Sequence, residues 1–150
     1  MKKKRFTIRQ FNKKYPNDDA CLREVFEQRN KEAKVCPSCG KPFKFYRVTN
    51  RKCFACSCCG YQIHPLAGTI FHKSRTGLRD WFFAIFLFST SKNGVSAKEI
   101  ERHIGVTYKT AWRMAKEIRK LFREISPPHL SGIVEMDETY IGGKERNKHM

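Results

Sequence analysis

Long apolar runs and negative charge are what this 150-residue chain has least of. No stretch approaches the roughly twenty predominantly apolar residues that a membrane-spanning helix needs, so no membrane association is expected. The opening Met1-Lys2-Lys3-Lys4-Arg5 runs into polar sequence and not into an apolar core, which argues against a secretory signal peptide. Acidic residues number 14 against 31 lysines and arginines, for a formal net charge of +17. Residues 36–76 contain no aspartate or glutamate at all, and the sign of the charge reverses only beyond residue 126. A basic excess spread over successive segments points to a polyanion, most simply nucleic acid, bound by neutralising phosphates and releasing their counterions. A disulfide framework is also disfavoured. The seven cysteines are odd in number and spaced for metal, which fits a reducing compartment, the cytosol.

Those cysteines are the strongest signal present. Cys36-Pro37-Ser38-Cys39-Gly40 and Cys56-Ser57-Cys58-Cys59-Gly60 are two Cys-x-x-Cys-Gly units in one short stretch. Two such pairs predict a four-thiolate zinc site, Cys36, Cys39, Cys56 and Cys59, closed to water and therefore structural, not catalytic. Cys53 and Cys56 offer a rival Cys-x-x-Cys, but only the Cys59 unit repeats the Cys-Gly ending of the first, so Cys53 and Cys58 are expected to be bystanders. The glycine after each second cysteine suits a tight turn that aims N–H groups at the sulfurs. Strands are expected over Phe43–Val48 and Tyr61–His64, giving a zinc ribbon over residues 36–72. His64 and His72 are spare, since four sulfurs already complete the tetrahedron.

Residues 1–35 read as a basic arm with interleaved aromatics, then a short helix that starts in Pro16-Asn17-Asp18-Asp19, ends near Asn30 and places Cys21, Leu22, Val25 and Phe26 on one side. An aspartate carboxylate is expected to cap it. Residues 77–125 read as a helical domain. The eight apolar residues from Trp81 to Phe88 exceed what an amphipathic helix needs and predict a buried hub. Ser96 with Glu99 predicts a capping box, Gly105 a helix stop, and Thr107 the cap of a second helix. That helix would bury Ala111, Trp112, Ala115, Ile118 and Phe122, leaving Lys109, Arg113, Lys116, Lys120 and Arg123 as a basic stripe. Helix, glycine turn and basic helix over about 96–124 is the pattern of a helix-turn-helix. Tyr108, Lys109, Thr110, Arg113, Lys116 and Lys120 are its candidate contacts to double-stranded DNA. A charge stripe of this kind can also be a solvated face.

Pro127-Pro128 marks a boundary. Beyond it, residues 131–143 read as a strand with Glu135, Asp137 and Thr139 on one face. Carboxylates are poor strand formers, and an edge strand kept soluble by charge would account for them as well.

The order of these motifs, from Cys36 through Ala67-Gly68-Thr69-Ile70-Phe71-His72, Ser96-Ala97-Lys98-Glu99-Ile100 and Tyr108-Lys109-Thr110-Ala111-Trp112 to Val134-Glu135-Met136-Asp137-Glu138-Thr139-Tyr140-Ile141-Gly142-Gly143, resembles bacterial insertion-sequence transposases. That family has an N-terminal transposase zinc-ribbon domain and an RNase H-like catalytic domain of the DDE type. The resemblance implies that Asp137 is the first catalytic aspartate, a ligand of Mg²⁺ in full-length relatives that activate water and then a 3′-hydroxyl for attack on DNA. The later acidic ligands of the family would lie beyond Met150, so residues 131–150 are expected to be the start of a truncated DDE domain, catalytically incomplete alone. The expected fold is therefore small α+β: a zinc ribbon, an all-α helix-turn-helix domain and the first strand or hairpin of an RNase H-like domain. The expected function is zinc-dependent binding of transposon-end DNA, with a second copy or a full-length transposase as protein partner, in the bacterial cytoplasm at the nucleoid. A free-standing zinc-ribbon and helix-turn-helix transcriptional regulator is the alternative.

Overall fold

The computed structural model describes residues 6–124. Among these the elements run α1 (Ile8–Lys14), α2 (Asp18–Arg29), β1 (Phe45–Arg47), β2 (Phe54–Cys56), β3 (Gln62–Ile63), α3 (Leu78–Thr90), α4 (Ala97–Ile104) and α5 (Tyr108–Glu124). The expected strand at 131–143 and the first five residues lie outside the described residues.

Part of the expected basic arm is helical. Thr7 and Gln10 form a reciprocal capping box, the Thr7 N–H donating to Gln10 Oε1 at 2.8 Å, and α1 follows. Its Phe11 is buried and packs on Phe83 and Phe86 of α3 with ring centroids 5.6 and 5.2 Å away. The charged residues around Phe11 hide this single apolar anchor from a pattern reading. In α2 the four expected core residues are buried, but the cap is Asn17, whose side chain accepts the Ala20 N–H at 2.9 Å, and not a carboxylate. The Asp18 carboxylate instead accepts the Arg79 N–H at 2.9 Å in the first turn of α3, where Gly77 has no side chain to offer. Arg79 in turn donates to the Tyr15 carbonyl and to Asn12 Oδ1, each at 3.0 Å, so one exchange of hydrogen bonds ties α1, α2 and α3 together.

The sheet is antiparallel with order β1-β2-β3, pairing Phe45 with Cys56 and Phe54 with Ile63. Its middle strand, β2, was not expected. Phe54-Ala55-Cys56 is too short to show a period, and it is a strand because it pairs on both edges and is buried throughout. Phe26 of α2 stacks on Phe54 at 4.0 Å with planes 18° apart, so the helix seals one face of the ribbon. Cys21, Leu22, Phe26, Phe54 and Leu78 form this first core.

A second core holds Trp81, Ala84, Val95, Ile100, Ala111, Met114, Ala115 and Ile118. Helix α3 serves both, giving Leu78 to the first and Trp81 with Ala84 to the second, and it packs on α2, α4 and α5. Its other apolar residues are half-buried, as a helix shared between two cores requires. Phe71, in the connection before α3, touches both clusters and meets Trp81 edge-on at 5.7 Å. On α5 the inward face differs from the expected one. Met114 is buried, whereas Trp112 and Phe122 are about half exposed. Alanines at 111 and 115 bring α5 close to α4, and Met114, three residues from 111, shares their side of the helix while Trp112 falls off it.

Ser96 accepts the Glu99 N–H at 3.1 Å to start α4, and Thr107 accepts the Thr110 N–H at 3.4 Å to start α5. Between them Gly105 sits at φ +78° and donates its N–H to the Glu101 carbonyl at 2.8 Å. A Cβ at Gly105 would meet nothing within 4 Å, so any cost of adding one is backbone conformation alone. Gly105→Ala should therefore lose about 1–2 kcal/mol, and Gly105→Asn should lose less, because asparagine tolerates the left-handed region. Chemical denaturation of the two variants measures this; equal stability of Gly105→Ala and wild type would show that the turn is not held at positive φ.

Candidate metal centre and nucleic-acid interface

The two Cys-x-x-Cys-Gly units fold alike. In the first, the Cys36 N–H donates to the Lys41 carbonyl at 2.8 Å and the Gly40 N–H to the Cys36 carbonyl at 2.9 Å. In the second, the Cys56 N–H donates to the Tyr61 carbonyl at 2.8 Å and the Gly60 N–H to the Cys56 carbonyl at 3.0 Å. Gly40 and Gly60 take φ +65° and +72°, the left-handed turn that brings the second cysteine of each unit back beside the first. The strand pairing of β1 with β2 then sets one unit against the other.

The consequence is a cluster of four sulfurs, those of Cys36, Cys39, Cys56 and Cys59, all within 4.8 Å of one another. Cys36 and Cys59 are 3.8 Å apart, and Cys39 and Cys56 are 3.9 Å apart. A tetrahedron with Zn–S bonds of about 2.3 Å has edges of about 3.8 Å, so these two separations are those of a thiolate cage, not of thiol hydrogen bonds. The donor set and spacing fit Zn²⁺. Backbone N–H groups of Cys58 and Cys59 hold the Cys56 thiol down at about 6. Cys39 goes the other way, to about 12: the Lys41 N–H favours its thiolate, but burial and hydrogen bonding among the Cys59, Cys36 and Cys56 thiols prevail. In so tight a group the first thiolate hinders the next, and a divalent cation is what allows all four to ionise together.

All seven cysteines are free thiols, and the other three stand apart. Cys53, the rival ligand, is buried with its sulfur 3.7 Å from Gln62 Oε1; Cys58 is exposed; and burial pushes the Cys21 thiol up to about 12, a core residue without nucleophilic character. His64 and His72 are exposed, and neither joins the cluster.

The basic stripe of α5 faces outward: Lys109, Arg113, Lys116, Lys120 and Arg123 are all exposed. They are not equally free. Lys120 pairs with Glu117 at 3.0 Å, Lys116 lies over the Trp112 ring at 5.2 Å, and an Arg113 nitrogen is 3.3 Å from the Ser74 hydroxyl. Tyr108 is exposed beneath the Lys98 ammonium, 5.0 Å from its ring, whereas Thr110 is half-buried with its hydroxyl 3.0 Å from that of Thr107. Of the candidate contacts Thr110 is thus the least available. Sequence reasoning passed over Lys73 and Arg75, which line an open cleft together with Lys109 and Arg113. The only trace of them beforehand was a pair of cations in a connection without carboxylates. Asp137 lies outside the described residues, and no helix among those described is long and apolar enough to cross a membrane.

A helix sealed on a small sheet whose two cysteine knuckles present four sulfurs is the architecture of a zinc ribbon with an added N-terminal helix. Residues 16–62 match the transposase zinc-ribbon domain family, a span that begins at α2 and ends in β3. The chain is also similar to an uncharacterized protein in transposable element ISH50 of Halobacterium salinarum, 31% identical over 121 residues, which is 75% of this chain and 40% of that protein. No solved structure matches it. Residues 16–62 therefore carry the likeness of a transposase zinc-ribbon domain, and the chain is similar to a protein of a transposable element. It spans 40% of the length of the relative it matches.

The geometry predicts one tetrahedral metal ion per chain. Cys53→Ser and Cys58→Ser should keep it, and Cys39→Ser should lose it, as read by elemental analysis of the purified proteins. Loss of metal in Cys53→Ser with retention in Cys39→Ser would reverse the ligand assignment.

Proposed function

We propose that this chain is a DNA-binding part of an insertion-sequence transposase, in which structural Zn²⁺ holds the ribbon and α4 and α5 act as a helix-turn-helix on the duplex ends of the element. The observation that carries this reading is the outer face of α5, where five cations stand exposed at spacings of four, three, four and three residues behind a helix joined to it by only three residues. Lys120 is paired with Glu117, but the other four like charges along about 20 Å of helix repel one another, and a polyanion removes that repulsion. The first turns of α5, with Tyr108, Lys109 and Arg113, would face base edges in the major groove, while Lys116 and Lys120 would meet phosphates. The match of residues 16–62 to a transposase domain supports DNA over other polyanions.

In the same reading Asp137 is the first acidic residue of the RNase H-like catalytic site, a Mg²⁺ ligand in the whole transposase. Glu135 and Glu138 are its neighbours and not ligands. Strand transfer belongs to that whole protein, and so does assembly with a second transposase chain. The transposase-type sequence also fits work in the cytoplasm, where the bacterial chromosome is the target.

Lys116→Ala combined with Lys120→Ala should flatten the dependence of duplex affinity on salt by about two units, since each lost phosphate contact removes about 0.9 from the slope. Fluorescence anisotropy at several salt concentrations measures it. Affinity and slope equal to wild type would remove the outer face of α5 from the interface.

A further inference from the structure

We infer that the connection between β3 and α3 is a second wall of the nucleic-acid interface, and that the cleft it forms with α5 takes the phosphodiester backbone of a duplex. This deepens the function proposed above and rests on it. The cleft has a volume of about 500 Å³ and is open to solvent; Lys73, Arg75 and Thr76 form one side, Lys109, Thr110 and Arg113 the other, with Trp112 between. Four cations and two hydroxyl-bearing residues line it, and no carboxylate does. That composition selects an anion with several acceptor oxygens. The half-exposed Trp112 ring adds a flat apolar wall of the kind that lies against a sugar or a base edge.

The connection is built to stand where it does. Arg29 of α2 donates to the Pro65 and Ala67 carbonyls, Phe71 is wedged between the two cores, and Ser74 is the junction with both helices. The Ser74 hydroxyl lies 2.9 Å from Trp81 Nε1, 3.2 Å from the Thr76 N–H and 3.3 Å from an Arg113 nitrogen. A hydroxyl oxygen has two lone pairs for these three donors, so the contact to Arg113 is the weakest; its guanidinium also lies 5.9 Å from the Trp81 ring centroid, and a phosphate in the cleft would compete with both contacts for it. Lys73, next to Ser74, sits at φ +54°, a left-handed conformation that a non-glycine residue adopts at some cost and that recurs at ligand contacts. Lys109 and Arg113 are one helical turn apart and face it across the cleft. A strand passing along α5 would thus be gripped from both sides, by the helix and by a connection whose position the ribbon sets.

The test uses the full chain loaded with zinc and a random-sequence DNA duplex. Lys73→Ala with Arg75→Ala should flatten the salt dependence of binding by about two units, while the charge-preserving pair Lys73→Arg and Arg75→Lys should keep the wild-type slope. Inorganic phosphate at matched ionic strength should not displace the duplex. Wild-type slope in the alanine pair, alongside a loss in the Lys116/Lys120 variant, would overturn the cleft and leave the proposed function standing; wild-type behaviour of both would overturn the two together. Displacement by inorganic phosphate would overturn the assignment to a DNA backbone. Should the alanine pair fail to fold, acetylation of the native protein decides: bound duplex should protect Lys73 and Lys109, and reaction of Lys73 at the rate seen without DNA would refute the second wall.

Discussion

Four sulfurs held at tetrahedral spacing are the constraint on which the rest of this structure depends. The sheet has strands of three, three and two residues, far too little to stand alone in water. Its pairings bring Cys56 opposite Phe45 and leave both cysteine knuckles at one end, where a single divalent cation would join them. Because a metal site of this kind rarely exists in an unfolded chain, its binding free energy becomes folding free energy. Small domains of this size commonly need such a staple.

From the ribbon outward, position passes through apolar contacts. Phe54 stacks on Phe26, which belongs to the same core as Leu78, the first residue of α3. Trp81, one turn further on, belongs to the core of α4 and α5 and donates its indole N–H to Ser74. A shift of the ribbon would therefore be felt at the connection before α3 and at the face of α5 beside it. The charge distribution follows the same path. Residues 36–76 carry no carboxylate, and the cations of that segment and of α5 lie on the surface, apart from half-buried Arg47, which pairs with Asp19.

The sequence was most informative where chemistry demands an identity. Only cysteines three apart with a glycine behind them make these knuckles, so the four clustered sulfurs could be named beforehand, as could the turn at Gly105 and the caps Ser96 and Thr107. It was least informative where packing decides. Phe11 is one buried residue among cations, and helix α1 shows only through its Thr7–Gln10 box. Strand β2 has three residues and owes its state to partners on both edges. Trp112 carries an apolar label yet projects from α5, because Met114 lies on the inward side with Ala111 and Ala115. Lys73 and Arg75 resemble any cations in a loop until Ser74, which accepts the Trp81 indole N–H, is seen to place that loop beside α5.

Cobalt substitution tests the central claim most directly. Co²⁺ added to the metal-free chain should give, at one equivalent, the intense ligand-field bands of a tetrahedral ion together with strong sulfur-to-cobalt charge transfer from four thiolates, and Zn²⁺ should bleach both. The weak spectrum of a six-coordinate ion, or saturation away from one equivalent, would contradict a four-sulfur centre and the architecture argued from it.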